Sequence, residues 1–458
     1  MLNLHTTMTT TDDFAEFITE TTYGDLSEEV VDGTKKRILD SLGIALGSVG
    51  AEPVEIVRET VSELDPDSGA CSIWGADGEE SASPPEATML NTSLIRYLDY
   101  MDAILLPGET PHPSDNIGAA VATAEYADRS GEDLIAGVAL AYEAHGEMAA
   151  KAPGRDIGWD HIQVTFGSAA AASKLLGLDY EQVRNAVGIA TAASNPLRVT
   201  RTGEISMWKG IASANLARNA VYTAMLSKNG MEGPVDAFEG QKGWKEIVQG
   251  RDFHVNFTPG ERVTQVMMKK YMAGTHAQTA IEGLLEVIER DDIDVDAIEE
   301  IRLETYESAK HVMGGGEGDR HLPKNREQAD HSIPYTLAAA ALDGQLMKEQ
   351  YEQDRITSGD VQSLMKKITI EEDPELSKLF DTGKQPYNIT VTMADGSEHR
   401  VEKTSFEGHP HTPMSWERLE EKFHGISKDV YNMERRNEII EIVKNLEEYD
   451  ARDLTAVL

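Results

Sequence analysis

The chain is short of thiols, with one cysteine, Cys71, in 458 residues. A single cysteine excludes an internal disulfide. It also excludes a cysteine-ligated iron–sulfur cluster within one chain, which needs three or four thiolates. Aromatic residues are few, at 6%, which suits an alanine-rich helical protein. Positive charge is scarce: 42 Lys and Arg stand against 80 Asp and Glu, a net charge of −38. A field of that sign repels phosphate backbones and anionic bilayers, so neither nucleic acid nor a membrane surface is expected as a partner. It reads instead as adaptation to a salt-rich solvent, where counter-ions screen the self-repulsion. No run of about eighteen uninterrupted apolar residues occurs, so no transmembrane helix is expected. The stretch MLNLHTTMTTTDDFAEF lacks the basic start and apolar run of a secretory signal. A cytoplasmic location is the expectation.

Length alone favours two domains over one. From about residue 12 to 265 the pattern is helical, in segments such as VDGTKKRILDSLGIALGSV, NIGAAVATAEYADRSG, EDLIAGVALAYEAHGEMAA, FGSAAAASKLLGL and YEQVRNAVGIATAAS. Their small residues permit close backbone approach, which predicts a compact bundle. Beyond about residue 268 the texture changes. IEEIRLETYES and MKKITIEED alternate like half-buried strands, and YNITVTMADGSEHRVEKTSF predicts two strands turning through Asp395 and Gly396. The fold class expected is mostly α: a large helical domain over residues 1–266, an α+β domain over 267–404, and C-terminal helices over 405–458 that rejoin the first.

Four stretches carry candidate chemistry. LDYMDAILLPGETPHPSDN, residues 98–116, sets acids and a histidine among prolines at 107, 111 and 113, which forbid a continuous helix. Asp99 and Asp102, three apart near a helix end, are expected on neighbouring parts of one face. Ser114 or Asp115 reads most simply as the cap of the alanine helix that follows. WDHIQVTFGSAAAASKLLGL puts His161 at a helix start, where the dipole favours the neutral, base-competent ring. Taken singly, it reads as a packed histidine.

NPLRVTRTGEISMWKG brings Arg198, Arg201 and Lys209 together against one acid, Glu204, as a seat for a multiply charged anion. KKYMAGTHAQTAIEG carries Lys269, Lys270 and His276. Weaker signals give way to plainer readings. MGGGEGD, residues 313–319, lacks the lysine of a phosphate loop and reads as a mobile loop. His409 and His411 are two ligands without a third, poor evidence for metal. ADHSIPY could contribute Asp330 and His331, though helix capping explains the aspartate equally well.

LDYMD, HPSDN, GEISMWKG with ANLARN after it, HAQTA, DHSIPY and PMSWERLEEKF occur in an order that resembles the MmgE/PrpD family from about residue 15 to 450. The resemblance implies a large helical domain plus a smaller α+β domain, a homodimer, and a lyase acting on a small polycarboxylate without metal or other cofactor. Its nearest branch dehydrates 2-methylcitrate in propionate breakdown; related branches decarboxylate cis-aconitate or epimerise. Residues of the decarboxylating branch match Asp99, His112, His161, Lys209 and, less closely, Lys269. A threonine of that branch falls at Ala103, a tyrosine at Lys310 and a histidine at Gly274, leaving His276 nearby. These departures favour dehydration.

Dehydration needs a base for a weakly acidic C–H, an acid for the departing hydroxyl, and cations for the carboxylates. On this reading His112 and His161 are acid and base, and Asp99 orients an imidazole. Lys209 completes the catalytic set, and Arg198, Arg201, Lys269 and His276 bind substrate. All are expected to face one cavity.

Overall fold

The computed structural model describes residues 8–65, 69–76, 78, 80–202, 205–316 and 320–458. Glu204, residues 317–319 of the glycine-rich stretch and the first seven residues of the N-terminal stretch lie outside the described residues. Two compact units emerge: Met1–Thr200 with Gly210–Val266 and Ser415–Leu458, and Arg201–Lys209 with Met267–Met414. The molecule is mostly α with a smaller α+β portion.

In the first unit the described residues form α1 (Thr10–Glu20), α2 (Glu28–Gly47), α3 (Glu52–Leu64), α4 (Pro84–Tyr97), α5 (Ile117–Tyr126), α6 (Gly131–Lys151), α7 (Gln163–Leu175) and α8 (Tyr180–Ala193) before residue 200, and α9 (Ala212–Lys228) after it. Local chemistry starts them. Ser130 Oγ accepts the Asp133 N–H at 3.1 Å to cap α6. Asp179 and Gln182 form a reciprocal capping box at α8. Prolines 84 and 85 occupy the first turn of α4, where no amide partner is needed.

Helix α7 is the centre of this unit. Every residue of it except Lys174 is buried, and it packs on α5, α6, α8 and α9. Alanine and glycine make that possible, because interaxial distance is set by side-chain size. On α5, a Cβ at Gly118 would stand 2.2 Å from the Thr92 Oγ1 of α4, so these helices approach as only glycine allows.

Six of the nine phenylalanines, at 14, 17, 166, 238, 253 and 257, gather with Trp244 in one core cluster. The helices Trp416–Ser427 and Met433–Lys444 belong to the same unit, the first lying along α2. There Lys422 pairs with Asp40 at 2.6 Å and sits 3.8 Å above the ring of Tyr100.

The second unit holds a four-stranded sheet in the order β4-β3-β5-β6, where β3 is Ile298–Thr305, β4 Ile368–Glu372, β5 Tyr387–Met393 and β6 Glu398–Lys403. (β1, Cys71–Ser72, and β2, Ser81–Ala82, form a separate two-stranded ladder in the first unit.) β5 and β6 pair antiparallel with Val391 opposite His399, and the turn between them runs through Gly396 at φ 87°, as the Asp-Gly signal predicts. β3 and β4 are parallel, so the helices between them are the crossover such a pair requires.

Candidate active site

The chain leaves α4 through Asp99, whose φ of 52° is left-handed. This is the position after a helix cap where glycine is usual and aspartate is tolerated. Asp99 and Asp102 therefore both lie beyond the helix, and the expected shared helical face does not exist. Arg96, still on α4, approaches Asp99 at 3.9 Å with both side chains buried.

A short hairpin follows. Ile104 N–H donates to the Pro111 carbonyl at 3.0 Å, and Leu106 and Glu109 exchange two backbone bonds of 3.1 Å. Pro107 and Gly108, the latter at φ 75°, fill the two corner positions in the order a type II turn demands. The prolines thus aim the chain back towards His112.

His112 Nδ1 lies 2.6 Å from the main-chain oxygen of Asp102. A carbonyl oxygen only accepts, so Nδ1 carries the proton, and in the neutral ring Nε2 holds the lone pair. The Asp102 carboxylate is in turn fixed by the Ser114 N–H at 3.1 Å and the Tyr142 hydroxyl at 2.7 Å. Burial pushes this carboxyl up to about 6 despite those two donors.

Neither Ser114 nor Asp115 caps α5. Residues Pro113–Asn116 form a 3₁₀ turn that runs into the helix. Asn116 anchors that turn by donating to the Pro113 carbonyl at 2.7 Å and to His145 Nδ1 at 2.9 Å, while accepting from Ser168 Oγ at 2.8 Å. Burial drives the His145 imidazole down to about 3, so it is a neutral structural acceptor.

His161 also takes a left-handed conformation, φ 44°. Such a conformation is uncommon outside glycine, and where it occurs the surrounding structure must over-determine it. Here the segment before it is fixed by Asp160 N–H to the Pro196 carbonyl at 3.1 Å and by Arg198 N–H to the Gly158 carbonyl at 2.8 Å. The strained backbone brings His161 to His112. Their ring centroids are 5.3 Å apart at 39°, and the residues are 7% and 6% exposed. Asp160, buried next to it, has an oxygen 4.0 Å from His161 Nε2 and 3.7 Å from the Arg198 guanidinium.

In the second unit Lys209 is buried and donates to both oxygens of Asp330, at 3.0 and 3.3 Å, with His331 Nδ1 also 3.0 Å from its ammonium. Ser332, not Asp330, caps the helix Ile333–Asp343, so Asp330 serves the lysine rather than the helix. Arg201 reaches the Lys209 carbonyl at 3.4 Å. Lys269 is wholly buried, and His276 lies 2.8 Å from the Tyr306 hydroxyl.

The structure therefore brings His112 and His161 together, sets Arg198 beside them through Asp160, and joins Lys209 to Asp330 and His331. The tally of three cations against one acid along residues 195–210 is not the local charge in the folded chain. Asp160, distant in sequence from Arg198, was missed, and Asp330 was weighed against a helix cap rather than as the partner of Lys209. The only signal for each was its place next to a histidine, in WDHIQ and ADHSIPY.

The chain matches the MmgE/PrpD N-terminal domain over residues 12–256 and the MmgE/PrpD C-terminal domain over residues 271–448. It is 26% identical to a cis-aconitate decarboxylase of Mus musculus, across 98% of this chain and 93% of that protein. It is 28% identical to a 2-methylcitrate dehydratase of Salmonella typhi, across 69% of this chain and 68% of the relative. To the 2-methylcitrate dehydratase of Cupriavidus necator it is 29% identical, with the same two shares covered. Among the described residues no helix is long and apolar enough to cross a membrane. Sequence order, fold composition and family match agree: this chain belongs to the MmgE/PrpD family, with relatives whose names are those of lyases.

Proposed function

We propose that the protein is a hydro-lyase that removes water from a hydroxy-tricarboxylate of the 2-methylcitrate type by proton transfer to and from side chains. The observation that carries the reading is the buried pair of imidazoles, one of them fixed in a tautomer by a main-chain carbonyl. One ring takes the proton from the carbon next to a carboxylate. The other gives a proton to the hydroxyl, which leaves as water while the electron pair of the broken C–H bond becomes the new double bond. Two imidazolium charges about 5 Å apart repel, so the pair disfavours the doubly protonated state, which could not take up a proton.

Asp99, held in its left-handed turn, is the acid assigned to orientation in this scheme. Lys209, Arg198 and Arg201 supply positive charge for carboxylates, with Lys269 and His276 as further binding groups. A homodimer and a role in propionate breakdown belong to the same proposal.

Decarboxylation of a cis-aconitate-like acid is the second reading, favoured by the cis-aconitate decarboxylase relative that spans 98% of the chain. Against it stand Ala103, Lys310 and Gly274, where that branch has threonine, tyrosine and histidine. Purified protein offered 2-methylcitrate, citrate, isocitrate and cis-aconitate in turn separates the two. Rising ultraviolet absorbance from a new conjugated double bond, with no gas, is the expected result. Carbon dioxide released from cis-aconitate would replace this reading with the second.

A further inference from the structure

Glu109 ends the Pro107–Gly108 turn, is 3% exposed, and has no part in the proton transfers above. Its carboxylate is nonetheless crowded with donors. Oε2 accepts the N–H groups of Gly154 at 3.1 Å and Arg155 at 3.2 Å, and the side-chain amide of Gln163 at 3.2 Å. Oε1 accepts the Thr110 N–H at 3.2 Å and lies 3.5 Å from the Arg155 guanidinium.

Three of these donor residues bracket His161 in the chain. Gly154 and Arg155 come before it, and Gln163 follows two residues later at the start of α7. Glu109 itself is three residues from His112, across a stretch stiffened by Pro111. One buried carboxylate on the His112 loop thus grips the chain on both sides of His161.

The geometry points to Glu109 as a positioning residue that sets the spacing of the two imidazoles. The inference rests on the acid–base reading above. A carboxylate suits the task because both its oxygens accept, so it serves the His161 segment with one and its own loop with the other. Glutamine has a single accepting oxygen. With that oxygen in the Oε2 place, its amide nitrogen would meet the Thr110 N–H and the Arg155 guanidinium, donors facing a donor. Alanine would leave the amides of Gly154 and Arg155 and the side chain of Gln163 without their buried acceptor. The left-handed backbone at His161 would then be free to relax.

Crystal structures and steady-state kinetics of Glu109→Ala and Glu109→Gln test this. In Glu109→Ala the ring centroids should separate by about 1 Å or more, with kcat lowered about 100-fold, the loss a misplacement of that size produces. KM should stay within about threefold, since no substrate contact is removed. Glu109→Gln, keeping the Oε2 bonds, should recover about tenfold of that loss on the same geometric scale. Should the alanine variant not fold, the glutamine variant decides by its own ring spacing and kcat against wild type. Rings that stay in place in the variant overturn the positioning role. Rings that move while kcat holds overturn the acid–base reading of the pair, and the role of Glu109 with it.

Discussion

Two buried aspartates, Asp102 and Asp330, are held in opposite ways. Asp102, in the helical unit, receives the Ser114 N–H and the Tyr142 hydroxyl, both neutral donors. Asp330, in the α+β unit, receives the ammonium of Lys209, with Nδ1 of the adjacent His331 2.5 Å from its Oδ1. Neutral dipoles satisfy a carboxylate's geometry without cancelling its charge, so burial still pushes Asp102 up to about 6. A cation cancels the charge and makes each partner depend on the other. The first arrangement fixes a loop whose carbonyl orients His112. The second sets a buried lysine against a buried acid from a distant part of the chain.

The comparison breaks first at the imidazole that the Asp102 carbonyl holds. His112→Gln, and equally His161→Gln, should lower kcat by about 100- to 10,000-fold in steady-state assays, the span of a general acid or base. Near-full turnover in either variant would remove that ring from the scheme.

The ion pair is the next target. Lys209→Ala leaves Asp330 buried beside a lost cation and should cost about 3–5 kcal/mol in denaturant unfolding. The double variant Lys209→Ala with Asp330→Asn should recover most of that loss. If the double variant is as unstable as the single one, the two residues are not the mutually dependent pair described here.

Asp102 predicts a smaller effect with a definite sign. Folding raises its carboxyl from 3.8 to about 6. Between those values the folded chain holds more proton than the unfolded one, so this group's contribution to stability is lost as pH rises through that window. Asp102→Asn does not titrate. The stability of wild type minus that of the variant should therefore fall between about pH 4 and pH 6, by about 1–3 kcal/mol, and level off above. Glu143, which burial raises to about 7, is common to both proteins and cancels in the difference. A flat difference would show that Asp102 is not protonated on folding.

Smallest is the long-range field. With −38 charges on the chain, a polycarboxylate is repelled before it reaches any cation. Raising salt from low to physiological ionic strength should lower KM a few-fold while leaving kcat unchanged. A KM indifferent to salt would mean that local cations dominate at every distance.

Much of the fold was legible because it rests on short-range rules. Alanine-rich segments with Ser130 or Asp179 in front became helices, alternating stretches became β3 to β6, and Asp395-Gly396 became the hairpin turn. The candidate site was legible in part. His112 and His161 stood out as imidazoles beside a proline-rich loop and a helix start, and they do meet. The roles given to their neighbours were less secure, because they came from distance along the chain. Ser114, Asp115 and Asp330 read as caps by sequence position, yet Asn116 and Ser332 hold the N-cap positions. The Pro107–Gly108 corner was present as a turn signal but was weighed only as a helix breaker.

By itself the sequence determined what depends on neighbouring residues: helix starts and stops, strand alternation, the surplus of negative charge, and the lack of thiols for a disulfide or a cluster. Only the tertiary structure decided which acid faces which base. Asp102 reaches Tyr142, Asp160 lies beside Arg198, Glu109 reaches Gly154 and Gln163, and Lys209 reaches Asp330 across 121 positions. A hydrogen bond or ion pair acts over a few ångströms of space, and separation along the chain does not fix that distance until helices pack and loops close.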